Sequence, residues 1–303
     1  AEENGVKRTK KAVVFLGILL AIAVLALAAR NTPQPVEKQP EAYGMFEWEE
    51  AAVEDPEAAA ELAGRLGVTR WYQELPEEID PDATERFVKA LAQKGVAVYA
   101  LVGATEWGFE EDGASLTGAL EAVAEYNLQV SGEGRIAGVM EDVEPYVRTR
   151  WKEAPEESAK LYLSGMKKAY RYARKRGLVS IACIPRHYDD QGLTEMLRGL
   201  IAEACDEVAV MDYDCGNEAA AISTEAALAA EYGKPLHCIL EFQKVGKHGL
   251  TEDKTYYNKG LAAARAAWEE VQRSLPEQQV IRDYHWSEPV RELLEREENE
   301  DGP

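Results

Sequence analysis

Basic residues are scarce in this chain. Its 303 residues carry 34 Lys and Arg against 55 Asp and Glu, a formal net charge of −21. Such a surface repels phosphate backbones, which argues against nucleic acid as a partner, and the same excess serves solubility. Only four histidines occur, none in a His-x-His or His-Glu-x-x-His pattern. A zinc or binuclear hydrolase is therefore not indicated, and no metal or other cofactor is implied. The four cysteines, Cys183, Cys205, Cys215 and Cys238, lack Cys-x-x-Cys spacing. Three of them fall in or next to predicted strands, where free buried thiols are common. A Gly-x-Ser-x-Gly elbow is missing, which argues against an acyl-transfer hydrolase. Gly-x-Gly-x-x-Gly is missing after the first strand-like segment, where an open doubly wound sheet would want it.

One long apolar run is present. Ala12 to Ala29 carries no charge, and Lys7, Arg8, Lys10 and Lys11 precede it. Eighteen helical residues span roughly 27 Å, enough to cross a bilayer. The basic cluster predicts a cytoplasmic start, with everything after Arg30 outside. The expectation is an uncleaved transmembrane signal-anchor; Ala26-Leu27-Ala28 also resembles a signal-peptidase site, so secretion after cleavage is the alternative. No cysteine lies nearby, which excludes a lipoprotein anchor. Pro33, Pro35 and Pro40 mark an extended tether. The predicted organisation is a basic segment 1–11, a membrane helix 12–29, a tether 30–41, a folded domain 42–297 and an acidic tail 298–303.

Within the folded domain, strand-like and helix-like segments alternate eight times. The predicted strands are Tyr43–Trp48, Thr69–Leu75, Ala97–Gly103, Ile136–Glu144, Val179–Tyr188, Glu207–Asp214, Leu236–Phe242 and Gln279–Trp286. The predicted helices are Pro56–Leu66, Asp82–Lys94, Ser115–Tyr126, Glu156–Arg176, Thr194–Ala204, Ala219–Tyr232, Lys254–Arg273 and Glu288–Arg296. Gly67, Gly95, Gly177 and Gly233 each stand just before a strand, where a helix would end. Eight such units in about 255 residues match a (β/α)8 TIM barrel in count and size.

In that fold the functional site gathers at the C-terminal ends of the strands. Those ends are polar and aromatic here. In chain order they offer Glu47 and Trp48, then Gln73, then Trp107, then Asp142, Glu144 and Tyr146. Arg186 and His187, Tyr213 and Asp214, Glu241, and finally His285 and Trp286 follow. The strand starts are apolar or ordinary loop residues. Carboxylates among aromatic platforms suit carbohydrate: sugar faces stack on Trp and Tyr, and hydroxyls bond to Asp, Glu, His and Arg. Cleaving a glycosidic bond needs one carboxylic acid to protonate the leaving oxygen and a second group to stabilise the oxocarbenium-like transition state. Asp142 and Glu144 are two residues apart, so on a strand they share a face, with Cα atoms roughly 6.5–7 Å apart. The structural alternative for this pair is an ion pair with Arg186 or Arg282.

The segment Gly138-Val139-Met140-Glu141-Asp142-Val143-Glu144 resembles a reduced form of the family 18 chitinase motif. It keeps the final Asp-x-Glu and the Gly six residues before the Glu, while Ala137 and Met140 replace two aspartates. Met211-Asp212-Tyr213-Asp214 is similar to that family's Met-x-Tyr-Asp, and Trp286 to a Trp that floors its sugar site. This resemblance implies Glu144 as general acid, Asp142 orienting a substrate acetamido group and Tyr213 bonding to that group. Val143-Glu144-Pro145 is also similar to the Asn-Glu-Pro of clan A retaining glycosidases, whose nucleophile would correspond to Glu241 in Leu240-Glu241-Phe242. Most of residues 43–290 further resembles a group of uncharacterised extracytoplasmic barrels, through the signatures at 142–145, 184–189 and 211–213.

The expectation is a membrane-anchored extracellular glycoside hydrolase acting on a polysaccharide or cell-wall glycan. Glu144, Asp142, Tyr213 and Glu241 would carry catalysis. Trp48, Glu47, Gln73, Trp107, Tyr146, Arg186, His187, Asp214, His285 and Trp286 would bind the glycan. The alternative is a carbohydrate- or peptidoglycan-binding barrel without catalysis.

Overall fold

The computed structural model describes residues 41–300. The apolar run at 12–29, its basic flank, the tether up to residue 40 and residues 301–303 lie outside the described residues. Among the described residues no helix is long and apolar enough to cross a membrane.

Eight parallel strands close into one barrel in sequence order. They are β1 Tyr43–Glu47, β2 Arg70–Glu74, β3 Ala97–Val102, β4 Gly138–Glu141, β5 Val179–Pro185, β6 Glu207–Met211, β7 Leu236–Glu241 and β8 Val280–His285. β1 pairs with β8 through Tyr43 opposite Arg282, Gly44 opposite Asp283 and Met45 opposite Tyr284, which completes the ring. Helices connect the strands, and local chemistry sets their limits. Helix Pro56–Leu66 starts on Asp55, whose carboxylate accepts from the Ala58 N–H, and ends at Gly67 with φ 72°. Pro81–Ala92 starts on Asp80, which accepts from the N–H groups of Asp82 and Ala83. In both, a proline at the first turn supplies a preset φ and lacks an N–H that would have no partner there.

Three of the predicted helices differ. The one expected over 219–232 forms as two pieces, Glu218–Ala221 and Ser223–Tyr232, parted at Ile222. The one expected over 254–273 is formed only from Leu261 to Ser274. Gly260, at φ 88°, sets the new start. Before it, Thr255 is buried and its hydroxyl donates to the carbonyl of Gln243 at 2.7 Å, which pins this stretch as a loop. The last helix runs from Ser287 to Glu300 instead of stopping at Arg296. Its extra turn is anchored: Glu297 accepts from the Leu261 N–H at 2.8 Å, and Glu298 pairs with Arg65 at 2.5 Å.

Strand alternation divides the core in two. Trp71, Val139, Ala182, Val208, Leu240 and Tyr284 point outward into the apolar layer shared with the helices. Phe46, Tyr72, Tyr99, Met140, Ile181, Cys183, Ala209 and Ile239 point inward and fill the bore. The four cysteines are all free, and three are buried.

The N-terminal end of the bore is polar. His237 bonds to Asp283 through Nδ1 at 2.7 Å and to Glu207 through Nε2 at 2.8 Å. Arg70 donates to Glu207 at 2.5 Å, and the Tyr72 hydroxyl donates to Asp283 at 3.0 Å. Gly44 makes room for this network, since a Cβ there would overlap both Asp283 and Tyr72.

Candidate active site

The opposite, C-terminal end of the barrel holds a cavity of about 830 Å³, within the range of about 300–1,000 Å³ usual for small-molecule sites. Strand parity decides what enters it. With Met140 inside the bore, Asp142 and Glu144 follow on the same face, while Glu141 and Val143 turn outward. Ten of the residues singled out from the sequence line this one cavity: Trp48, Asp142, Glu144, Tyr146, Arg186, His187, Tyr213, Glu241, His285 and Trp286.

Asp142 extends the β4 ladder by one step, its N–H donating to the Val102 carbonyl at 2.8 Å. Its Oδ1 is shielded from solvent and has no hydrogen-bond partner. Burial, and then the charge of Glu144, push its carboxyl up to about 7; a hydrogen bond from the Cys183 thiol and the nearby His285 pull the other way. After Glu144 the chain enters the short turn Pro145–Val147. The turn folds Tyr146 back so that its hydroxyl donates to Glu144 Oε1. The Tyr146 ring packs edge-on against His187 with centroids 5.1 Å apart, which fixes the hydroxyl's position.

Glu241 is held differently. Its Oε1 accepts from the backbone N–H groups of Phe242 at 2.8 Å and Gln243 at 2.7 Å. Its Oε2 accepts from the Gln243 side chain at 3.1 Å and meets His285 Nδ1 at 3.1 Å. Burial alone would raise its pKa, but His285 and the Gln243 donors outweigh that and hold the carboxyl below its ordinary value. Trp48 Nε1 donates to His285 Nε2 at 3.3 Å, so Nδ1 carries the proton shared with Glu241. Burial opposes a charge on His285, but Glu241, Asp142 and Glu144 together raise its pKa. Tyr213 lies 5.9 Å from His285 by ring centroids. Burial and the same three carboxylates keep its phenol protonated, as a hydrogen-bond donor. Trp286 joins His285 through a cis peptide, and its buried Nε1 has no partner.

Four expected site residues fall outside the cavity lining. Glu47 precedes Trp48 and so faces the helices, where it accepts from Ser287 at 2.5 Å and from the Glu49 N–H at 3.0 Å. Gln73 has the same outward parity; it accepts from Trp71 Nε1 at 3.0 Å and donates to the carbonyls of Glu49 and Glu74. Trp107 lies in a short turn and lines a second cavity of about 550 Å³ with Glu74, Leu75 and Ser115. Asp214 pairs with Arg186 at 3.4 Å and accepts from Asn217. The ion pair considered for Asp142 or Glu144 is therefore not formed by Arg186. Nor is it formed by Arg282, which binds Glu41 at 2.8 Å and the Tyr43 hydroxyl at 2.7 Å. The cavity also takes in Gln243, a polar residue just past the end of β7, and His248 and Lys254, which sequence reasoning did not single out. Gly246, Gly249 and Gly260 were the available signal, since closely spaced glycines mark a loop. Among the described residues no three His, Cys, Asp or Glu side chains converge as a ligand set for a metal ion.

Gly103 closes the site from β3. A Cβ there would overlap the Asp142 carbonyl, so Gly103→Ala must shift Asp142. A displacement near 1 Å costs about 10²-fold in rate when a reacting group is moved. We expect a loss of that order in any turnover that depends on Asp142, together with a lower melting temperature, because the added Cβ meets backbone and not a side chain that can swing away; unaffected turnover in the folded variant would show that Asp142 tolerates displacement.

No family model matches the chain, and no curated protein matches it. Several solved structures do. An intracellular xylanase from Thermoanaerobacterium saccharolyticum superposes with TM-score 0.54 at 11% identity, covering 82% of this chain and 86% of its own. A chitinase from Bacteroides thetaiotaomicron gives 0.52 at 11% identity, covering 84% and 93%. A D-allulose 3-epimerase from Methylomonas sp. gives 0.51 at 15% identity, covering 82% and 85%. At these identities the likeness establishes the (β/α)8 fold, and the chitinase is one of several barrels that share it.

Proposed function

We propose that this barrel is a glycoside hydrolase acting on a polysaccharide or cell-wall glycan, with Glu144 as general acid and Asp142 assisting. The observation that carries the reading is the contrast among three carboxylates in one aromatic-walled cavity. Glu144 has one oxygen fixed by Tyr146, and no protein group among the described residues bonds to the other. That oxygen is free to meet a glycosidic oxygen. Asp142 keeps an unpaired oxygen beside it and titrates near neutral pH. Glu241 is saturated by four donors. A carboxylate so bound is a fixed anion that stabilises positive charge, and it would have to give up hydrogen bonds to attack carbon. This favours assistance by Asp142 over a covalent intermediate on Glu241. The Tyr213 phenol is the donor for the group that Asp142 orients. Trp48 and Trp286 supply faces for sugar stacking. The apolar run at 12–29, if it serves as the anchor expected from its sequence, would hold the barrel outside the cell, facing its substrate.

The test is hydrolysis of xylan, chitin oligosaccharides and peptidoglycan fragments, followed across pH. Asp142 should place a limb near pH 7 in the kcat/KM profile, because that profile reports ionisations of the free enzyme. Asp142→Asn should remove the limb as well as slow the reaction. A limb unchanged in the variant would assign that ionisation to another group and sink the role given to Asp142.

A further inference from the structure

Charge is unevenly distributed around the cavity. In a chain of net charge −21, the wall built by the loops after β5 and β7 gathers Arg186, His187, His248 and Lys254. An adjoining hollow shares Gln243, His248 and Trp286 with the cavity and adds Lys244 and Lys247. Two of these cations are occupied: Arg186 by Asp214 at 3.4 Å and Lys244 by Glu292 at 2.6 Å. The acids on this side that line either hollow are Asp190, Glu241, Glu288 and Glu292, and the Asp253 carboxylate feels the charge of Lys254. Neither Lys247 nor Lys254 has a carboxylate within ion-pairing distance among the described residues. Both are exposed.

The loop is built to hold this arrangement. The Gly246 N–H donates to the Leu250 carbonyl at 2.8 Å and the Leu250 N–H to the Lys247 carbonyl at 2.8 Å. Between them His248 adopts φ 48° and ψ 26°, in the left-handed region, beside Gly249 at φ 76°. A non-glycine residue held there costs of the order of 1 kcal/mol or more, and such positions concentrate at ligand sites. The conformation presents His248 to both hollows at once, next to Trp286.

Resting on the glycosidase reading, we propose that the natural glycan bears a carboxylate, and that this group lies against the Lys247–His248–Lys254 wall while its sugar ring lies on Trp286. An acidic sugar supplies that chemistry, as a uronic acid or as the lactyl ether of an N-acetylmuramic acid. Two exposed lysines that close no ion pair at contact distance, beside a histidine held by a tight loop, complement a single negative charge.

The experiment is calorimetric binding to the full chain carrying Glu144→Gln, so that no probe is consumed. The probes are tetragalacturonate, the same tetramer fully methyl-esterified, the disaccharide of N-acetylglucosamine and N-acetylmuramic acid, and neutral xylotetraose and chitotetraose. Exposed ion pairs are each worth up to about fivefold in affinity, so two contacts predict a measurable preference of up to about 25-fold for a charged probe over its uncharged counterpart. The preference should weaken as salt is raised, and Lys247→Ala with Lys254→Ala should abolish it. Whether the tetramer or the disaccharide binds identifies the source of the carboxylate. Neutral tetramers binding as tightly as the charged probes would overturn the proposal and leave the glycosidase reading standing. A charge preference that survives removal of both lysines would overturn the assigned wall. If no saccharide binds at all, both readings fall.

Discussion

With Glu144 as the proposed general acid, its replacement by Gln is expected to lower kcat by about 10²–10⁴-fold, the usual range for loss of a general acid–base group. The substitution keeps size and shape. Its amide oxygen still accepts the Tyr146 hydroxyl, so the bond made by Glu144 Oε1 survives. What is lost is the proton that a leaving glycosidic oxygen needs, and that loss is felt only in the transition state. Affinity for oligosaccharide, measured by calorimetry, should therefore change by less than about threefold, because ground-state contacts are untouched. Substrates with a good leaving group, such as nitrophenyl glycosides, should lose less than natural glycans, since they need less protonation. Full activity of the variant on a substrate that the parent chain cleaves would make the whole site assignment wrong.

Replacing His237 by Ala destabilises the barrel by about 3–5 kcal/mol, the range for breaking a buried charged network at one member. The imidazole is fully buried and bonds to Asp283 on one side and Glu207 on the other. Removing it leaves two buried carboxylates short of a donor, Glu207 with Arg70 and Asp283 with only the Tyr72 hydroxyl. The pH dependence gives the effect a signature. Burial would raise the Glu207 pKa, but the bonds from His237 and Arg70 outweigh that and bring it down to about 2 from 4.5. Its contribution is present above about pH 4.5 and is lost as pH falls toward 2. Burial would lower the His237 pKa, but Asp283 and Glu207 raise it above 6.5. Its contribution is present below 6.5 and is lost as pH rises through the folded value. The variant's deficit should be greatest between about pH 4.5 and 6.5 and should shrink on either side. Urea denaturation at pH 3, 5.5 and 9 measures it. A deficit under 1 kcal/mol, or one independent of pH, would show that the network is electrostatically inert.

The eight strands were legible because each apolar run is short and is followed by a helix with its own stop signal. Gly67 and Gly177 both take left-handed φ values where the sequence places helix ends. Within the mouth, legibility followed period two. Asp142 and Glu144 share a face with Met140, and all three turn inward. The same rule, applied to β1, would have excluded Glu47: it neighbours Trp48, and adjacent strand residues cannot both face the axis. Gln73 fails likewise beside Tyr72. The loop before helix Leu261–Ser274 was read as helix because its lysines and acids suit one. The buried bond from Thr255 that holds it open is set by β7, which local pattern does not reveal. The polar network at the bottom of the bore was invisible for the same reason. Arg70, Glu207, His237 and Asp283 come from four strands, and no spacing in the sequence connects them.

That network also decides how traffic moves. With those four side chains paired across one end of the bore, and Phe46, Tyr72 and Met140 packed inside it, the barrel is a blind well with a single doorway. A polymer cannot be threaded through such a molecule. It must lie across the mouth or dip one end into it.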